Sequence, residues 1–146
     1  MKITHALLAI AAVGAAQLVL SERRHRQRLA LDAESMHQKW ISDVAADADQ
    51  RAMWAAPGET SAEEYAQLLQ CNRLISFLSV KYRVGLLDRQ SLRTNVRWLM
   101  DRDIARSYWS RFGSFREEEA VDRVDRAFNA VVADEFELHA TDEAAA

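Results

Sequence analysis

SAEEYAQLLQCNRLISFLSVKYRVGLLDRQSLRTNVRWLM, residues 61–100, decides the fold class. Thr60 and Ser61 each precede a glutamate by three residues, Glu63 and Glu64, the spacing of a capping box. Leu68, Leu69, Leu74, Ile75, Phe77, Leu78, Tyr82 and Val84 follow and cover more than one helical face. That pattern predicts a central helix, packed on several sides and running to about Val84. Gly85 is placed to end it as the residue just past the C-cap. Asp88 is placed to cap a further helix through Leu92, Val96, Leu99 and Met100. Neither this stretch nor its surroundings contain the period-two alternation that marks a half-buried strand.

Working toward the C-terminus, the pattern pauses at 101–103 and resumes with Ile104, Tyr108, Trp109 and Phe112, which Gly113 is expected to stop. Ser114 with Glu117 is another capping-box pair. It predicts a last helix holding Val121, Val124, Phe128, Val131, Val132 and Phe136, with Glu117, Glu118 and Glu119 in its first turn. Residues 141–146 read as a frayed acidic tail. Toward the N-terminus, Ala56-Pro57-Gly58-Glu59 is the strongest break in the chain. Before it, Leu29, Ala33, Met36, Trp40 and Val44 step by 4, 3, 4 and 4 across residues 21–54, an apolar stripe on one helix. No breaker separates Gly14 from Pro57.

Ile3 to Leu20, ITHALLAIAAVGAAQLVL, is an 18-residue run without charge. At about 1.5 Å per residue it covers roughly 27 Å, close to the hydrocarbon thickness of a bilayer. It reads as a membrane anchor, and Arg23, Arg24, Arg26 and Arg28 form a basic cluster flanking it. The positive-inside rule then places the body in the cytoplasm, as a single-pass protein of the cell membrane. The alternative is a signal peptide cleaved near Ala15 or Ala16, with a secreted body. The expected architecture is all-α: a single N-terminal transmembrane helix continuing into a compact bundle of about four to five helices. Residues 1–28 form the anchor and its basic flank, 29–140 the helical domain and 141–146 the tail.

Composition narrows the function classes. The chain of 146 residues has the length of one domain with an appended segment. Four glycines and one proline exclude collagen-like and Pro-rich architectures, and one cysteine, Cys71, excludes an intramolecular disulfide and a Cys-based zinc site. Net charge is −3 but strongly polarised. Residues 85–116 carry seven arginines against three aspartates, whereas 117–146 carry ten acids against two arginines. Arg89, Arg93 and Arg97 step by four along one helical face, a candidate interaction face. The acidic block beside it makes internal pairing the expected fate of these arginines, against anionic lipid contact and, least, nucleic acid.

The segment CNRLISFLSVKYRVGLLDRQSLRTNVRWLMDRDIARSYWSRF, residues 71–112, joins Tyr82-x-x-Gly85-Leu86-Leu87, an Asp-capped helix and a Tyr108-Trp109 pair. In this it resembles a family of small bacterial membrane-anchored proteins known as a domain of unknown function. The resemblance implies an anchor with an all-helical body, and it implies no activity, cofactor or catalytic residue.

No catalytic or metal-ligating pattern is present. The four histidines, His5, His25, His37 and His139, have no i, i+3 or i, i+4 partner among themselves. Glu34 and His37 give the Glu-x-x-His spacing of di-iron bundles once, without the second copy such a site needs. Cys71 has apolar neighbours and no histidine nearby, which reads as packing. Four scattered glycines build no phosphate loop. The tryptophans read as core. Asn72, among Leu68, Leu69, Ile75 and Ser76, is expected to bond across a helix–helix contact. No cofactor is expected. The reading is a membrane-tethered, non-enzymatic helical module that binds a protein partner. The alternative is a membrane-associated enzyme or small-ligand-binding protein with a site from Asn72, Arg73, Arg97 and Tyr108.

Overall fold

A computed structural model describes residues 2–55 and 60–145. Six helices account for the architecture: α1 Lys2–Ala46, α2 Ala48–Trp54, α3 Ala62–Arg83, α4 Arg89–Met100, α5 Asp103–Glu118 and α6 Arg123–Ala145. No strand occurs among the described residues. The chain divides into two compact units, Met1–Met36 and His37–Ala146. The expected break at 56–59 lies outside the described residues.

The first unit belongs to α1. Alanine, leucine and arginine favour the helix, and an i, i+4 pair between Glu22 and Arg26 at 2.6 Å supports it on the surface. Leu8, Ile10, Val13, Leu18, Val19 and Leu20 are each more than half exposed. At 100° per residue they point all the way round the helix. Among the described residues, however, no helix is long and apolar enough to cross a membrane, so the expected transmembrane span gains no support.

In the second unit α3 is the central helix. Leu68, Cys71, Ile75 and Leu78 join a core with Leu92, Val96, Leu99 and Met100 of α4, Ala105, Tyr108 and Trp109 of α5, and Phe128, Val131 and Val132 of α6. On another side of α3, Leu69 and Tyr65 pack on Ile41, Val44 and Ala45 of α1. The expected Leu29–Val44 stripe is therefore corrected. Val44 and its neighbour Ile41 are buried, whereas Leu29, Met36 and Trp40 stay exposed. Nor is residues 21–54 one helix: Asp47 ends α1 and caps α2, accepting from the backbone N–H groups of Asp49 at 2.9 Å and Gln50 at 3.0 Å. Of the four tryptophans only Trp109 is in the core; Trp40, Trp54 and Trp98 are 42–53% exposed.

The capping chemistry around α3 and α4 is as the sequence predicts. Ser61 accepts from the Glu64 N–H at 3.1 Å, and Asp88 from the Ser91 N–H at 2.7 Å. After α3, Gly85 adopts φ +81°. Its N–H donates to Tyr82 C=O, and the Leu86 N–H donates to Lys81 C=O. These two bonds make a Schellman ending, which requires the left-handed conformation glycine supplies.

The C-terminal reading fails at Gly113. That glycine lies inside α5, and the last helix begins at Arg123, not at Ser114. A Cβ at Gly113 would come within 3.0 Å of the Trp109 indole, so the residue is small to admit the ring and not to turn the chain. Glu117 and Glu118 consequently end α5 instead of opening α6. Asp122 caps α6, accepting from Val124 N–H at 2.8 Å and Asp125 N–H at 3.1 Å. The same carboxylate takes a two-pronged bond from Arg83 at the end of α3, at 2.9 and 3.3 Å, and Arg83 also bonds Asp125. The α6 backbone runs on through 141–145, the segment read as a tail.

Arg83 and the helix N-terminus hold the Asp122 carboxyl down, to about 2 from an ordinary 3.8. Because the folded value is depressed, the pair's stabilisation is complete above about pH 4 and is lost as pH falls toward 2. Asp122 is nearly half exposed, so the charge pair is screened and contributes no more than about 1 kcal/mol. Asp122→Asn keeps the cap and removes the charge. Its stability deficit in thermal denaturation is expected to be present at pH 6 and to vanish near pH 2, whereas Asp122→Ala loses a further ~1 kcal/mol with the cap at pH 6.

Candidate functional site

Besides the Arg83 contact described above, two polar clusters contain the residues that the sequence singles out. The first joins α4 to α6. Arg93 bonds Asp134 at 2.7 Å, and Arg97 bonds Glu135 through Nε at 3.0 Å and Nη2 at 3.4 Å. Glu135 is 1% exposed, whereas Arg97 is largely exposed. Arg93 Nε stands 3.9 Å from Glu135 as well. The geometry follows from one sequence property: α4 buries Leu92, Val96 and Leu99, which sets Arg93 and Arg97 beside that stripe, against α6. The expected pairing of the arginine face with the acidic end of the chain is thus found for Arg93 and Arg97. Arg89 is exposed and makes no ion pair among the described residues. Asp134 and Glu135 both lie in 134–137, which with 117–125 is one of the two acidic stretches the sequence offers to the arginine face; which acid is buried is not legible there.

The second cluster is built on Asn72. Its Oδ1 accepts from the Tyr108 hydroxyl at 2.7 Å and from Arg116 Nη1 at 2.9 Å. Arg116 also donates to the Tyr108 oxygen at 3.0 Å and to Ser76 Oγ at 3.5 Å. The buried Asn129 of α6 donates to the Arg116 carbonyl at 2.7 Å. Asn72 thus joins α3 to α5, and Asn129 joins the same Arg116 to α6. The helix–helix bond expected of Asn72 is present, but its partner Arg116 was not foreseen. Arg116 stands eight positions from Tyr108 on the same helix, and only its length lets it reach back.

The four residues weighed for a ligand site are not gathered. Asn72 and Tyr108 are in contact, but Arg73 is exposed, its carbonyl accepting from Gln38 at 3.1 Å, and Arg97 belongs to the Glu135 cluster. Cys71 is buried beside Asn72, and desolvation pushes its thiol up to about 12, only partly opposed by the Arg116 charge. A thiol of that kind is no nucleophile at neutral pH. Among the described residues no three His, Cys, Asp or Glu side chains group as metal ligands. His37 is exposed and stacks on Trp40, with ring centres 6.1 Å apart, and Trp40 meets Trp54 edge to face at 5.8 Å. In the first unit Arg23, Arg24, Arg26 and Arg28 are all exposed, and Arg26 is engaged by Glu22, whose carboxyl it holds below the usual range. Both clusters of the second unit bind helix to helix; their chemistry is that of assembly.

Three outcomes check these assignments. Cys71 is expected to resist maleimide in the native protein at pH 8 and to react at once in denaturant. Tyr108→Phe, which strips a donor from Asn72 and an acceptor from Arg116, should cost about 1 kcal/mol in urea unfolding. Replacing both Arg93 and Arg97 by alanine leaves Glu135 buried and unpaired, at a cost of about 3 kcal/mol or more. Adding Glu135→Gln to that double variant should recover part of the loss, as a coupled network requires.

A family model described as a family of unknown function (DUF6082) matches residues 2–146, so the match covers both units. No curated protein and no solved structure matches the chain. With almost its whole length matched, the chain belongs to DUF6082, a family of unknown function.

Proposed function

We propose that this protein is a helical module held at the cytoplasmic face of the cell membrane by the N-terminal part of α1, and that it works by binding another protein. The observation that carries the reading is the character of α1 between Leu8 and Leu20. Six large aliphatic side chains stand exposed on every side of the helix. A helix that is apolar all round has no polar face to give to water, and the medium that suits it is lipid. Four arginines follow immediately, the arrangement that retains the flanking segment on the cytoplasmic side.

The binding role rests on the second unit. Its conspicuous ionic groups are occupied in joining helices, while Trp40, Met53 and Trp54 stay 42–68% exposed, and the two indoles are in contact. Exposed tryptophan is the residue type most enriched at energetically dominant positions of protein interfaces. Nothing in the arrangement of Asn72, Tyr108 and Arg116 calls for a reaction, since each polar group is spent on another.

The full chain is expected to sediment with membranes, and a chain from Arg28 onward to remain in the supernatant. Full-length protein in the soluble fraction would refute the tether. Sidedness can be read with one thiol. Cys71 is buried, so Ser114→Cys on an exposed turn of α5 supplies the reactive group. It should be labelled by a membrane-impermeant maleimide only after lysis; labelling in intact cells would reverse the orientation.

A further inference from the structure

At 18 residues the apolar run at the start of α1 is near the short end of the lengths that span a bilayer, so a flanking contribution adds usefully to its attachment. Stable attachment of a marginal apolar segment takes a second contribution, and a polybasic patch beside it is the common one. The arginines that follow Leu20 are the only dense charge near that stretch.

We infer that Arg23, Arg24 and Arg28 form a binding surface for anionic phospholipid headgroups, an inference that rests on the tether proposed above. Arg24 and Arg28 are four residues apart and share a helix face, and Arg23 is one step of 100° away. The three span less than half of the circumference. Arg26 lies outside that arc, on the side of Glu22, to which it is bonded at 2.6 Å. Glu22 is thereby occupied, and Asp32, four residues after Arg28, makes no ion pair with it. Arg23, Arg24 and Arg28 are exposed and carry no partner among the described residues. At about 1.5 Å per residue they begin roughly 5 Å and end roughly 12 Å beyond Leu20 along the axis. A long arginine side chain bridges that interval, its stem on the apolar boundary and its guanidinium among phosphates. The fork of donors suits the phosphodiester oxygens, and an excess of anionic over zwitterionic lipid adds net attraction.

The contrast with the second unit supports the assignment. There Arg83, Arg93, Arg97 and Arg111 all end on carboxylates of other helices. Arg23, Arg24 and Arg28, which make no such bond, differ from these helix-joining arginines.

The test is flotation of the full chain, diluted from detergent, with phosphatidylcholine vesicles made with and without phosphatidylglycerol. Each free arginine near an anionic surface is worth about fivefold in partitioning, so the three together should give a preference on the order of a hundredfold at low salt. High salt should abolish the preference and leave binding to phosphatidylcholine unchanged. Combined Arg23→Gln, Arg24→Gln and Arg28→Gln should reduce anionic binding to the neutral-vesicle value. The corresponding three lysine substitutions, which keep the charge, should retain the preference. All three positions are exposed, and an unchanged near-ultraviolet circular dichroism spectrum will show that the second unit is intact. Equal binding of the unaltered chain to both vesicle types, or a preference that survives the glutamine substitutions, would overturn the headgroup surface while leaving the apolar tether standing. Binding to neither vesicle would overturn the tether itself, and the surface with it.

Discussion

Burial of α3 on more than one side is the requirement that the rest of the second unit satisfies. Ile75 and Leu78 need α4, α5 and α6 around them, and Leu69 needs the end of α1. The hydrophobic effect sets that demand but does not distinguish one amphipathic neighbour from another. Polar contacts make the distinction. Arg83 fixes the end of α3 to the start of α6, Arg93 and Arg97 fix α4 to the middle of α6, and Asn72 fixes the middle of α3 to α5. Each contact is modest taken alone. Together they leave each helix one register in which both its apolar stripe and its charged side chains are matched.

The helices around α3 were legible because their ends are written in local chemistry. Ser61, Gly85 and Asp88 each perform a backbone task that few residue types perform, so a reading from sequence meets little competition. Gly113 misled for the opposite reason. Glycine serves both to turn a chain and to admit a bulky neighbour, and the neighbour here is Trp109, one turn earlier on the same helix. Capping-box spacing at Ser114 and Glu117 then occurs without capping anything. The Leu29–Trp40 stripe misled in another way: periodicity reports that a helix has an apolar face, not that this chain covers it.

The polar clusters were legible in outline. Opposite block charges on either side of residue 116 forecast that the α4 arginines meet α6, but block charge carries no information on depth. That Glu135 is the buried acid, and Asp134 beside it an exposed one, depends on which side of α6 faces Val96 and Leu99. Asn72 was conspicuous as a polar residue in an apolar stretch. Arg116 was not, since a long basic side chain near a helix end ordinarily has several destinations and the sequence does not rank them.

The two short connections beside α4, the Gly85 turn and the Asp101-Arg102 step, bear on how the chain folds as it is made. Consecutive helices α3, α4 and α5 pack on one another, and α6, which follows them in the chain, closes on all three. Until it does, Leu92, Val96 and Leu99 lack part of their cover. Contacts between near neighbours in sequence form quickly, which shortens that interval. Until then Arg83, Arg93 and Arg97 lack the carboxylates they pair with in the folded protein, so α6 brings the missing apolar cover and the missing countercharge in one step.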